Sequence, residues 1–333
     1  MKHILMIATG GTIASRSTDS GLTPLLSSED LLRYIPRVSE FCTVTTVQPF
    51  NLDSTNITPA HWLELARIIR DSYSRYDGFV VCHGTDTMAY TAAALSYLIQ
   101  NSRKPIVVTG AQKPIDLDVT DARTNLTDSF LYACFEGAGG VQIVFDGKVI
   151  AGTRAKKTRT KSYNAFSSIN FPALASIQDG RIYPYIPREM SGEARFYDRL
   201  DERVTLYKLT PGAHAETLAY LLERSSAVLL ESFGSGGLPD DPALGYYPVI
   251  ERYTELGKVI VMTTQVQSEG SDMTVYRVGR RIKRDYGILE SFDMTPEAAL
   301  TKLMWILGQT RDMEEIRKLF YTTVNCDILY RAQ

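Results

Sequence analysis

Short continuous apolar runs alternate with stretches of helical periodicity along most of this chain. The first run, Ile4 to Ala8, is apolar at every position, the pattern of a strand covered on both faces. Thr58-Pro59 then reads as a helix cap followed by a first-turn proline, and Trp62, Leu65, Ala66, Ile69 and Tyr73 recur behind it along one helix face. The same alternation predicts strands at 77–82, 104–110 and 141–145 and helices at 88–100 and 121–136. After a charged stretch with little apolar period, strands return at 204–209, 227–232 and 258–264, and helices close the chain at 296–307 and 313–321. The expected fold is therefore α/β with two domains. The larger, 1–185, carries a mixed or parallel sheet flanked by helices, residues 186–203 form the linker, and the smaller, 204–333, carries a parallel, Rossmann-like sheet.

Composition narrows what such a fold can do. With 333 residues and 44% hydrophobic content, the chain can fill two cores without staples. A formal charge of -2 provides no basic field, which argues against nucleic acid or an anionic membrane as a partner and for a small ligand. Cys42, Cys82, Cys134 and Cys326 form no C-x-x-C pair and read as reduced thiols. Only Met1-Lys2-His3 precedes the first strand, and no run is long enough for a signal or membrane segment, so a cytoplasmic protein is expected. The four histidines have no metal-ligand spacing, and neither a metal nor a cofactor is expected.

Open α/β sheets place ligands at the loops after the carboxyl ends of their strands, and three polar loops here have that address. They are Thr9-Gly-Gly-Thr12, His83-Gly-Thr-Asp-Thr87 and Thr109-Gly-Ala-Gln112. Thr12 is either a turn residue or a nucleophile in need of a base. The glycine spacing around it does not match a dinucleotide fingerprint. Thr85 and Asp86 either cap the next helix or face a ligand, and His83 is either a general base or a satisfied structural group. The run from Gly152 to Tyr163 carries Arg154, Lys156, Lys157, Arg159 and Lys161; most of it reads as a solvated face, with room for one lysine to turn inward and activate a hydroxyl. Asp53 and Ser54 precede a helix, where they either cap it or hold an amino acid's charged groups. Ser232-Phe-Gly-Ser-Gly-Gly237 repeats the strand-to-glycine signal in the second domain.

Thr9-Gly-Gly-Thr-Ile-Ala14 and His83-Gly-Thr-Asp-Thr-Met88 together resemble the bacterial-type L-asparaginase family, in particular its cytoplasmic type I branch. The likeness continues through Gly152-Thr-Arg-Ala-Lys-Lys157, the second glycine loop and the segment Asp293 to Leu307, which holds the helix at 296–307. It implies hydrolysis of L-asparagine to L-aspartate and ammonia in a homodimer or homotetramer, with the site in the N-terminal domain completed by a neighbouring subunit. By resemblance, Thr12 is the nucleophile; Thr85, Asp86 and Lys157 are its catalytic companions; and Gly11, Asp53, Ser54 and the Ala111 carbonyl bind substrate. Backbone N–H groups around Gly11 and Thr85 are candidate oxyanion donors. Leu22 stands where family members commonly carry a tyrosine, in a segment, Ser15 to Leu25, expected to act as a mobile lid. The second glycine loop lacks an asparagine that some members contribute, and Val266 and Glu231 occupy positions where regulated members carry a cysteine and an arginine. The rival readings are a glutaminase-asparaginase, the amidase subunit of a tRNA-dependent transamidase, which usually has an added N-terminal segment, and a non-catalytic asparagine sensor.

Overall fold

A strand that is apolar at every position is stable only where both of its faces are covered. The computed structural model describes residues 1–329 apart from 19, 20, 188, 189, 191 and 276, with the backbone alone at 17, 18, 22, 24, 277 and 278. The chain divides into two compact units, Met1–Asp198 and Arg199–Gln333.

In the first unit, β1 (Lys2–Ala8), β2 (Cys42–Val47), β3 (Gly78–Cys82), β4 (Pro105–Thr109) and β5 (Gly140–Phe145) run parallel in the order β2-β1-β3-β4-β5. Antiparallel strands β6 (Lys148–Ala151), β7 (Ala175–Gln178) and β8 (Arg181–Pro184) extend the sheet beyond β5. Ile4, Met6, Val80 and Val107 pack on one face with Leu126 and Phe130. Leu5, Ile7, Phe79 and Val81 alternate with them along β1 and β3 and are equally buried, so both faces are covered. Because β2 and β3 flank β1 on opposite sides, the chain winds one way after β1 and the other way afterwards. That reversal opens a crevice at the carboxyl ends of β1 and β3.

The longer helices on this sheet are α1 (Pro59–Ser72), α2 (Met88–Leu98) and α3 (Ala122–Ala133), and a short helix, Ser28–Arg33, adds Leu31 to its core. Trp62, Leu65, Ala66 and Ile69 are the buried face of α1, as their spacing predicts. Thr58 N–H donates to His61 Nδ1 at 3.0 Å and closes the first turn. The helix expected over 88–100 stops at Leu98, because Ile99–Gln100 leave it to pair antiparallel with Arg195–Phe196. Part of the 186–203 stretch is thus a strand seated on the first unit. Two hairpins complete the unit: Ser15–Thr18 with Gly21–Pro24, and Ala155–Lys157 with Phe166–Ser168. The expected lid therefore has hairpin backbone at its described positions, whereas Asp19, Ser20 and the Leu22 side chain lie outside the described residues.

The second unit has a four-stranded parallel sheet in chain order: β9 (Val204–Lys208), β10 (Ala227–Ser232), β11 (Val259–Thr264) and β12 (Leu289–Glu290). Val228, Leu230, Ile260 and Met262 join Leu218, Leu222 and Ile250 in its core. The helices Glu216–Arg224, Tyr246–Glu255 and Arg277–Tyr286 add to the two expected at the end of the chain. Its glycine loop closes as a turn, with Gly236 N–H donating to Phe233 O at 3.0 Å. No helix among the described residues is long and apolar enough to cross a membrane.

Candidate active site

The crevice is drawn together by backbone contact between loops. Beyond β1, Thr9 N–H donates to Cys82 O at 3.0 Å, Leu52 N–H to Thr9 O at 2.8 Å, and Gly11 N–H to Leu52 O at 2.9 Å. Gly11 has φ +78°, and a Cβ there would lie 2.4 Å from the backbone of Gly84. A Cβ on Gly84 would lie 2.6 Å from Ser54 Oγ. Only hydrogen fits at either position. These glycines bring the loops after β1, β2 and β3 into van der Waals contact.

Thr12 opens a short 3₁₀ turn, Thr12–Ala14, held by Ala14 N–H and the Ser15 hydroxyl, both donating to Gly11 O. Its side chain is half-buried, and its hydroxyl has no hydrogen-bond partner among the described residues. Capping does not account for it.

On the facing loop, Lys157 Nζ donates to Thr85 Oγ1 at 2.7 Å and to Asp86 Oδ1 at 2.6 Å. Thr85 Oγ1 donates in turn to Gln112 Oε1 at 3.2 Å. The Lys157 side chain is 17% exposed and that of Asp86 57%, so the pair sits at the boundary between protein and solvent. The geometry joins three of the expected residues in one polar chain and adds Gln112, which sequence reasoning passed over. Its one visible signal was a place beside Ala111 in the third polar loop.

The other expected residues divide. Ser54 is buried; its Oγ accepts from Asp86 N–H at 3.3 Å, and its carbonyl accepts from the Thr87 hydroxyl at 2.7 Å. Asp53 is a cap, with Oδ1 accepting from the Thr55 N–H and hydroxyl at 2.9 Å each. Its Oδ2 has no partner among the described residues. Ala111 is buried, and its carbonyl likewise accepts no hydrogen bond among them. The N–H of Gly11, grouped with the candidate oxyanion donors, is already committed to Leu52 O. The N–H groups of Thr12 and Thr85 are free among the described residues.

Two further expectations are resolved by burial. Arg154 is fully buried with its guanidinium 5.6 Å from the Phe171 ring centroid, so it does not belong to the solvated face, where Arg159 and Lys161 are exposed. His83 is fully buried, and burial pushes its imidazole down to about 4 against a weaker opposing hydrogen bond to Gly84 O. Nδ1 lies 2.7 Å from that carbonyl and so carries the proton; Nε2 accepts from the Thr91 hydroxyl at 2.9 Å. Thr91 Oγ1 itself accepts from Trp62 Nε1 at 2.9 Å. With both nitrogens engaged, His83 is not a general base; it ties the Gly84-Thr85 loop to α1 and α2. Among the described residues, no His, Cys, Asp and Glu side chains gather into a metal-binding group.

Residues 3–188 match the N-terminal asparaginase domain, and residues 203–320 match the glutaminase/asparaginase C-terminal domain. An L-asparaginase of Thermococcus kodakarensis is 40% identical over 98% of each chain. The solved structure of the thermostable L-asparaginase from that organism superimposes with a TM-score of 0.93, covering 99% of this chain and 100% of that one. L-asparaginase 1 of Escherichia coli is 33% identical over 95% of each chain. A glutamyl-tRNA(Gln) amidotransferase subunit of Pyrococcus abyssi is 34% identical over 97% of this chain and 76% of its own. Both units are thus accounted for, and the chain belongs to the asparaginase family.

Proposed function

We propose that this protein hydrolyses the side-chain amide of L-asparagine, giving L-aspartate and ammonia through a threonine-linked acyl-enzyme. The observation that carries the reading is the Lys157 ammonium, 2.7 Å from the Thr85 hydroxyl and 2.6 Å from the Asp86 carboxylate. It meets the loop that packs, through Gly84 and Gly11, against the residue before Thr12. Thr12 Oγ attacks the amide carbon, its proton passes to the departing nitrogen, and ammonia leaves. Water held by Thr85, Lys157 and Asp86 then opens the ester. Dividing one amide hydrolysis into two acyl transfers lowers each barrier. The N–H groups of Thr12 and Thr85 suit the oxyanion role. Asp53 Oδ2 suits a substrate ammonium, and the Ala111 carbonyl suits the side-chain amide. The reading extends to a cytoplasmic homodimer or homotetramer whose neighbouring subunit completes each site.

Ammonia release from L-asparagine, L-glutamine and D-asparagine, measured on wild type and Thr12→Ala, tests it. L-asparagine should be turned over fastest, and Thr12→Ala should retain less than roughly a thousandth of that rate while still binding L-aspartate. Faster turnover of glutamine makes the protein a glutaminase first. Binding without turnover in wild type makes it a sensor.

A further inference from the structure

Away from the crevice, the outer face of α3 borders a cavity of about 400 Å³, within the range of small-molecule sites, about 300–1,000 Å³. Thr124, Thr127 and Asp128 line it from the helix, Arg123 from the same helix, Arg37 from the 3₁₀ segment Pro36–Glu40, and Gly180 from the β7–β8 turn. Asp128 is 8% exposed, and its carboxylate makes no hydrogen bond or ion pair among the described residues. Burial alone pushes it up to about 6.

The arginines on the same walls have partners of their own. Arg123 donates from Nε to Ile115 O at 3.3 Å and from Nη2 to Leu117 O at 3.2 Å, and its guanidinium lies 5.6 Å from the Tyr34 ring centroid. Arg37 faces Glu40 at 4.0 Å with a side chain that is 81% exposed. A buried carboxylate left alone is costly, and a donor from outside the chain would relieve it. A simple cation would meet two guanidiniums on its way in, and a simple anion would leave Asp128 unpaired. One chemistry satisfies both walls.

We propose that this cavity is a second binding site, for a small zwitterion whose ammonium pairs with Asp128 and whose carboxylate is drawn to Arg37 and Arg123. The Thr124 and Thr127 hydroxyls supply neutral hydrogen-bonding positions beside the carboxylate. The site shares no residue with the crevice and does not depend on the reaction proposed there.

Calorimetric titration of the full-length protein with glycine, β-alanine and γ-aminobutyrate tests it, with propylamine and propionate as single-charge probes. At least one zwitterion should bind more tightly than about 10 mM, and neither single-charge probe should match it. Asp128→Asn should weaken that binding roughly thirtyfold or more, and Arg37→Gln should weaken it less. Asparagine turnover reports that each variant is folded, and Asp128→Asn should leave it unchanged. Failure of every zwitterion to bind, binding indifferent to Asp128→Asn, or equal binding of propylamine would each overturn the proposal. So would a change in sedimentation caused by Asp128→Asn, because the cavity would then belong to a contact between copies of the chain.

Discussion

Lys157 shows how one side chain is singled out from a run of similar ones. Arg154, Lys156, Lys157, Arg159 and Lys161 are alike in charge, and the stretch resembles a solvated face. In the hairpin strand Ala155–Lys157, however, successive side chains point to opposite sides, and Lys157 is aimed at Thr85 and Asp86. Lys157→Met should therefore lower kcat by about a hundredfold or more, whereas Lys161→Met should change it less than twofold or so. Steady-state kinetics on the two variants check this, and equal losses would remove Lys157 from the machinery. Charge patterning could not identify this lysine, because pairing partners are set by strand register rather than by neighbours in sequence. Arg154 was hidden for the same reason: nothing beside it in the chain announces Phe171.

The elements that hold the crevice have an internal brace in the chain from Trp62 through Thr91 to His83. Each donor has an acceptor, and the last proton goes to the Gly84 carbonyl. Thr91→Val keeps the shape but leaves the Trp62 N–H and the His83 nitrogen without partners, at a cost of about 1–3 kcal/mol. Thermal unfolding should register that loss, and kcat should fall severalfold because the Thr85 loop loses its anchor. Thr91→Ser, which keeps the hydroxyl, should recover most of both; if serine is no better than valine, the brace is not what holds the loop. The strands of this crevice were legible because β1, β3 and β4 each carry a continuous apolar run. β2 was not: Cys42-Thr-Val-Thr-Thr-Val47 sits at the sheet edge with partly exposed positions, so no continuous apolar run marks it. The early end of α2 was also invisible, since the partner of Ile99–Gln100 lies far along the chain at Arg195–Phe196.

For the whole molecule, two buried groups of the first unit pull stability in opposite directions with pH. His83 titrates near 4 when folded against 6.5 for an unperturbed imidazole, so between those values the unfolded chain takes up a proton that the native one refuses. Its contribution, up to about 3 kcal/mol, is complete above pH 6.5 and is lost as the pH falls towards 4. Asp128, shifted from 3.8 to about 6 by burial, does the reverse: the native state keeps its proton while the unfolded state has released it, so stability rises as the pH falls through that window. The charged groups lining its cavity, Arg37 and Arg123, do not cancel the effect. Asp128→Asn removes the compensation. Melting temperatures between pH 4 and 8 should show the variant more stable than wild type at the upper end and losing that advantage as the pH falls. The two-unit α/β architecture was legible from alternation alone, and the polar loops from their place after strands. What joins those loops, glycine against glycine and lysine against threonine, is long-range and has no local signature.

The central place of β1 also has a consequence for how the protein is made. β1 precedes both β2 and β3 in the chain and lies between them in the sheet, so it cannot settle until both have been synthesised. Lys157 is later still. Until then, a continuous apolar segment and the unpaired edges of a nascent parallel sheet are open to misassociation, and such non-local pairing is slow. Thr12, which follows β1 directly, is thus made long before Lys157 and becomes competent only after it.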